Sequence, residues 1–171
     1  MTPPVRHLAG TVLILFLTAS FSSAATGEGK VARVIHAAPA FSGGLAEGRS
    51  IALSSLRGKP VLLLIAPSPK DHAFRRQIAD LRGRYERLAA HGIICFAAFT
   101  GGGGVIPSNV PFLTVNDPAS VASSYDVTGG FAAAVIGRDG NLDCLSTKPL
   151  PGQRILDLIN NNASVQEQLR R

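Results

Sequence analysis

Val61-Leu62-Leu63-Leu64-Ile65-Ala66 runs into the turn Pro67-Ser68-Pro69-Lys70-Asp71-His72, and twenty residues later comes Gly92-Ile93-Ile94-Cys95-Phe96-Ala97-Ala98-Phe99. Both apolar runs are uninterrupted by polar residues. A strand that faces water on one side alternates, so each run reads as a strand buried on both faces of a parallel sheet. Between them Phe74, Ile78, Leu81, Tyr85 and Leu88 recur at steps of four and three, one apolar stripe on one continuous helix. Asp71 is placed to cap that helix and Gly92 to stop it. Strand, helix and strand in this order predict a right-handed parallel crossover.

Reading outward from this unit extends the pattern in both directions. On the N-terminal side, Gly48–Leu53 suggests a hairpin arm and Ser54–Pro60 a turn, preceded by a loose leading segment over residues 26–50 with at most a short strand at Val31–His36. On the C-terminal side, Gly101–Gly104 and Val105–Pro111 form a long connection, and Phe112–Val115 a short extended piece. Asp117-Pro118 opens a second helix, aspartate as cap and proline at the first helical position. Phe131–Ile136 is a further apolar strand, Arg138-Asp139-Gly140-Asn141 a hairpin turn, and Leu142–Ser146 its antiparallel return. Gln153–Asn160 is the last helix, followed by a polar tail.

The first 25 residues have a different character. Arg6 and His7 precede an uncharged apolar run from Leu8 to Phe21, and Ser22-Ser23-Ala24-Ala25 follows. A basic head, a short apolar stretch and a small-residue exit read as a secretory signal peptide, cleaved after Ala24 or Ala25, which predicts a periplasmic or secreted protein. Residues 26–171 then form a single domain with a formal charge of +5, against +6 for the whole chain. No other run is long enough to span a membrane.

Two blocks of residues carry a family resemblance. Ala38-Pro39-Ala40-Phe41, Gly48, Ile51, Leu53 and Leu56-Arg57-Gly58-Lys59-Pro60-Val61-Leu62 resemble the opening of the redoxin and peroxiredoxin branch of the thioredoxin superfamily, which reads A-P-x-F, strand, L-x-G-K, hydrophobic strand. Tyr125-x-Val127-x-Gly129 with Gly137-Arg138-Asp139-Gly140 is similar to that branch's Y-x-V-x-G and I-D-x-x-G segments. The likeness runs from about Ala38 to Ile159, and the order and spacing of the segments carry it rather than any one motif. It implies an α/β fold, a three-layer thioredoxin-like sandwich with a central mixed sheet and helices on both faces.

The resemblance also implies a redox site, and the residues that would form it are absent. Laid without gaps from Gly58-Lys59, the C-x-x-C pair of the family falls on Lys70 and Ala73, and a peroxidatic cysteine falls in the same turn. Laid back from Asp139-Gly140, the cis-proline falls on Phe131, and the arginine that activates a peroxidatic thiolate falls near Ala132. Thiol–disulfide exchange needs a low-pKa thiolate at a helix N-terminus. A lysine cannot supply one, so this reads as a degenerate member without ordinary thioredoxin or peroxiredoxin activity.

The remaining candidates are few. Cys95, mid-strand, reads as a small buried hydrophobe; Cys144, on a return strand at the sheet edge, could be a free thiol or join two chains as a dimer, and the distance between them argues against an internal disulfide. Asp71-His72 could pair as orienter and base, yet no nucleophile stands beside them, and Ser68-Pro69 reads as a capping turn. No metal-ligand spacing and no phosphate loop is present, and no cofactor is expected. Arg75, Arg76, Arg82, Arg84 and Arg87 make the first helix basic, which suits an anionic protein or small-molecule partner; nucleic acid is not expected, since that face has no stacking aromatics. These readings converge on a non-catalytic envelope module that binds through Ser68, Lys70, Asp71, His72 and Phe131 together with Arg75, Arg76 and Arg82. The alternative is an atypical redox enzyme using Cys95 or Cys144.

Overall fold

In the computed structural model, residues 36–44 and 48–169 are described, with side-chain surroundings as far as residue 161; the expected signal peptide and most of the Val31–His36 segment lie outside them. The strands are β1 (His36–Ala37), β2 (Ser42–Gly44), β3 (Ser50–Ala52), β4 (Val61–Ala66), β5 (Ile94–Phe99), β6 (Phe112–Val115), β7 (Ala132–Ile136) and β8 (Asn141–Ser146). The helices are α1 (His72–Arg82), α2 (Tyr85–Ala90), α3 (Pro118–Ser124) and α4 (Gly152–Leu169), and Leu53–Leu56 forms one 3-10 turn. The strands join in one mixed sheet of order β1-β8-β7-β4-β5-β6-β2-β3.

β4 lies in the middle and every one of its residues is buried. It pairs parallel with β5 from Val61↔Ile94 to Ala66↔Phe99, and antiparallel with β7 from Val61↔Ile136 to Ile65↔Ala132. Alternate side chains of a strand point to opposite faces, so this strand divides the core in two. Leu62, Leu64 and Ala66 join Cys95, Ala97, Phe99, Ala133, Val135 and Cys144 beneath α1, α2 and α4. Val61, Leu63 and Ile65 join Phe96, Ala98, Ala132, Ala134 and Ile136 beneath α3 and the 3-10 turn. The result is the expected three-layer arrangement, helices on both faces of a mixed sheet.

The expected helix over residues 71–92 is two helices. An unbroken helix would direct the Arg84 N–H to the Asp80 carbonyl. Instead that N–H donates to the Leu81 carbonyl at 2.9 Å, and the Arg84 guanidinium donates to the Asp80 carbonyl at 3.3 Å and to its carboxylate. Asp80 also accepts the N–H of Gly152, the first residue of α4. The break therefore comes with a joint between α1 and α4, and the apolar stripe keeps its side of the chain across it. α4 is also longer than expected, because the polar tail contributes helix formers such as Ala163, Gln166, Glu167 and Leu169.

Two further expectations change at the sheet's margins. The hairpin arm at β3 finds its partner in β2, a strand that sequence patterning misses because it is Ser-Gly-Gly. Gly43 is fixed by contact: a Cβ there would lie 2.7 Å from the Phe96 ring and 2.8 Å from the Thr114 carbonyl oxygen. At the other margin β1 pairs with β8, so β8 is not the outermost strand.

Gln77, fully buried on α1, ties the helix layer together. Its amide donates to the Leu150 carbonyl at 2.9 Å and accepts the Leu150 N–H at 2.7 Å. Gln77→Leu leaves both backbone groups without partners in a dry site. Such groups cost about 1–3 kcal/mol each, so we expect a loss of about 3 kcal/mol in urea unfolding. A loss below about 1 kcal/mol would show that water reaches this joint.

Candidate functional site

The turn between β4 and α1 is built by capping. Asp71 accepts the Phe74 N–H on its carboxylate at 2.9 Å, and its carbonyl accepts the Arg75 N–H at 3.0 Å. Ser68 folds the approach: its hydroxyl accepts the Lys70 N–H at 3.3 Å and its carbonyl the Asp71 N–H at 3.1 Å. Pro69 is buried, Ser68 and Asp71 are half-buried, and Lys70 and His72 are exposed. The Asp71 carboxylate is thus committed to the helix end, and the turn holds Lys70 outward at the head of α1.

Two other segments meet this turn because the sheet brings them there. β5 lies beside β4 in parallel, so both chains leave the sheet at the same end, and the Gly101 N–H donates to the Pro67 carbonyl at 2.8 Å. A Cβ on Gly101 would come within 2.9 Å of that carbonyl oxygen, and one on Gly104 within 3.3 Å of the Pro69 ring. The glycine run therefore serves close packing against the turn, and beyond it Val105 stands 88% exposed. β7 enters the sheet at this end from the other side, with Ala132 opposite Ile65, which sets Phe131 beside Ala66.

The sequence-predicted residues thus gather only in part. Ser68, Lys70, Asp71 and His72 form one turn, and Phe131 lies at the same end of the sheet. Phe131 is only 6% exposed and belongs to the core under α1, so it supports the face from beneath and offers little surface. All peptide bonds among the described residues are trans, including the one before Phe131. Arg75 and Arg76 are exposed on α1, while Arg82 lies at its far end, about 15 Å along the helix axis from His72. What sequence reading missed is Val105, whose exposure follows only from how the glycine run packs.

The cysteines are far from this place. Cys95 pairs with Leu62, Leu62 with Val135 and Val135 with Cys144, so the two thiols share one face of the sheet three strand spacings apart, about 14 Å. Both are free, and both are buried, at 3% and 1% exposure. That spacing excludes an internal disulfide, as the sequence reading anticipates. The link between two chains through Cys144 is corrected: a thiol sealed under the helix layer cannot reach a second molecule while the chain is folded. Burial pushes the Cys95 thiol up to about 12 and raises that of Cys144 as well, with Arg154 opposing and Asp143 adding to the rise.

A thiol whose pKa is raised on folding binds its proton more tightly in the folded chain than in the unfolded one. The contribution of Cys95 to stability is therefore complete below pH 9 and is lost as pH rises from 9 toward 12. Unfolding free energy should fall by up to about 1.4 kcal/mol per pH unit in that window, and Cys95→Ala should flatten the slope. Below pH 8, iodoacetamide should label neither cysteine until denaturant is added, read by intact mass.

No family profile matches the chain, and no curated protein matches it. Solved structures do. A thiol:disulfide interchange protein from Bacteroides sp. superposes with a TM-score of 0.60 at 16% identity, covering 74% of this chain and 90% of that one. The reduced 2-Cys peroxiredoxin of Plasmodium vivax gives 0.59 at 16% identity, covering 82% and 100%. A secreted thiol-disulfide isomerase from Corynebacterium glutamicum gives 0.56 at 14%, covering 78% and 91%. The sheet order, the two helix layers and these superpositions together identify the fold of this chain as thioredoxin-like.

Proposed function

We propose that the chain is a non-catalytic thioredoxin-like module, exported to the bacterial envelope, that binds a protein or small ligand at the end of the sheet formed by Pro67–His72 and Gly101–Val105. The observation that carries this reading is the placement of Lys70: it occupies the head of α1, exposed, where thiol chemistry on this fold needs a thiolate. Export rests on the signal-peptide pattern of residues 1–25, and it agrees with the secreted thiol-disulfide isomerase among the superposed structures. Among the described residues no helix is long and apolar enough to cross a membrane.

Binding is the chemistry left to this face. Capping accounts for Asp71 and turn closure for Ser68, so both have a structural role without a catalytic one. Val105, together with the exposed Lys70 and His72, offers an apolar contact rimmed by groups that donate hydrogen bonds. Arg75 and Arg76 extend the positive charge along α1 and favour an anionic partner. The redox alternative through Cys95 or Cys144 has burial against it, since a sealed, high-pKa thiol presents almost no thiolate to a substrate.

The test has two arms. The purified chain should neither reduce insulin disulfides with dithiothreitol nor consume hydrogen peroxide above buffer. Turnover abolished by Cys95→Ser or Cys144→Ser would replace the proposal with the redox reading. In the native host, a photo-crosslinker at position 70 or 105 should capture a discrete partner that the same group at Ser123, on α3 across the sheet, does not. Equal capture from both faces would sink the proposed site.

A further inference from the structure

At the far end of α1, where the helix breaks, the surface is concave. The cleft is about 380 Å³ and is lined by Arg82, Arg84, Tyr85, Glu86 and Arg87 from the break and by Asn109 from the connection between β5 and β6. It lies about a full helix length from Lys70 and shares no lining residue with Pro67–His72 or Gly101–Val105. Among the described residues Arg84 is the one of its three arginines with an acidic partner, Asp80, which also fixes its position. Arg82 and Arg87 are exposed, with no acidic partner among the described residues.

The geometry points to this cleft as a binding site for a phosphomonoester on a small hydroxylated carrier, held by Arg82 and Arg87 with Asn109 contributing from the β5–β6 connection. These two guanidiniums outweigh the single Glu86 carboxylate in this opening, and arginine forks match phosphate oxygens in parallel hydrogen bonds. A phosphomonoester carries about −1.5 to −2 at neutral pH, which matches two such groups better than a single carboxylate does. The cleft is in the range of small-ligand sites, about 300–1,000 Å³, so a bare phosphate leaves room for the carrier. Glu86 can only accept hydrogen bonds when ionised, and it therefore suits hydroxyl groups of that carrier and opposes a second anionic group. Asn109 supplies donors without charge. Its presence distinguishes a built cleft from a basic helix face, because it comes from a different segment of chain.

The experiment titrates the full chain with inorganic phosphate and with glycerol phosphate at constant ionic strength, following amide and Asn109 side-chain shifts by NMR. Saturable binding should weaken at least tenfold in Arg82→Gln/Arg87→Gln and about threefold in Asn109→Ala. It should be unchanged in Lys59→Gln/Arg154→Gln, which removes the same charge from exposed positions outside the cleft. A lipid source of the same chemistry is tested with phosphatidic acid vesicles against phosphatidylcholine vesicles. Binding confined to the former, with the same variant pattern, assigns the phosphomonoester to a headgroup. Loss of binding to an equal degree in the Lys59/Arg154 pair, an unperturbed Asn109 in the wild-type chain at saturation, or no binding to any of these probes would overturn the site. The substituted side chains are all exposed, and circular dichroism of each variant verifies the fold.

Discussion

Complete burial of β4 is the constraint from which the rest of the structure follows. A strand with no exposed residue must be paired on both edges and covered on both faces, since its backbone groups and its side chains alike have no water. β5 and β7 meet the first requirement, one parallel and one antiparallel, and the two helix layers meet the second. Alanine at Ala132, Ala133 and Ala134 matters here. Small side chains on the neighbouring strand let both layers approach the sheet closely, and the bulk of the core then comes from Phe74 and Leu81 on one side and Phe96 and Phe41 on the other. The Phe74–Phe99 and Phe41–Phe96 pairs, each with centroids 5.1 Å apart in edge-on geometry, pack on β5 from its two faces.

Most of this fold is legible in the sequence because burial leaves a compositional trace. β4 is read at its observed boundaries, Phe112–Val115 likewise, and Asp71 and Asp117 both cap as expected. What escapes is decided by contacts the pattern does not encode. The first helix ends at Gly83, and just past that end Arg84 reaches back to an Asp80 that also accepts the Gly152 N–H, a relation across 72 residues. β2 has almost no side chains to signal a strand, and its place comes from Phe96 and Thr114 closing over Gly43. The candidate face was legible as a turn lacking cysteine, while the burial of Phe131 and the exposure of Val105 depend on how three segments from separate parts of the chain settle at one end of the sheet.

The two blocks of family-like sequence also turn out to be physically joined. The Tyr125 hydroxyl donates to the Pro39 carbonyl at 3.1 Å, and the Tyr125 ring packs edge-on against Phe41 at 6.4 Å. Burial pushes the Tyr125 phenol up, which keeps it protonated and able to donate. This frame and the turn before α1 draw on different residues, so one can vary without the other.

The connection between β5 and β6 is a parallel crossover of about a dozen residues with no helix in it. Gly101 and Ser108 donate to carbonyls and Val110 to the Ser108 hydroxyl, and Val110 is anchored in the core, but the segment has no hydrogen-bonded ladder to hold it. Opening it costs less than opening the central strands β4, β5 and β7, each paired on both sides. One such excursion would lift Gly101 from the Pro67 turn and withdraw Asn109 from the arginine cleft together. Two regions a helix length apart, with no side chain in common, would thereby share a single low-energy fluctuation, and a ligand that quiets one end would be felt as lost entropy at the other.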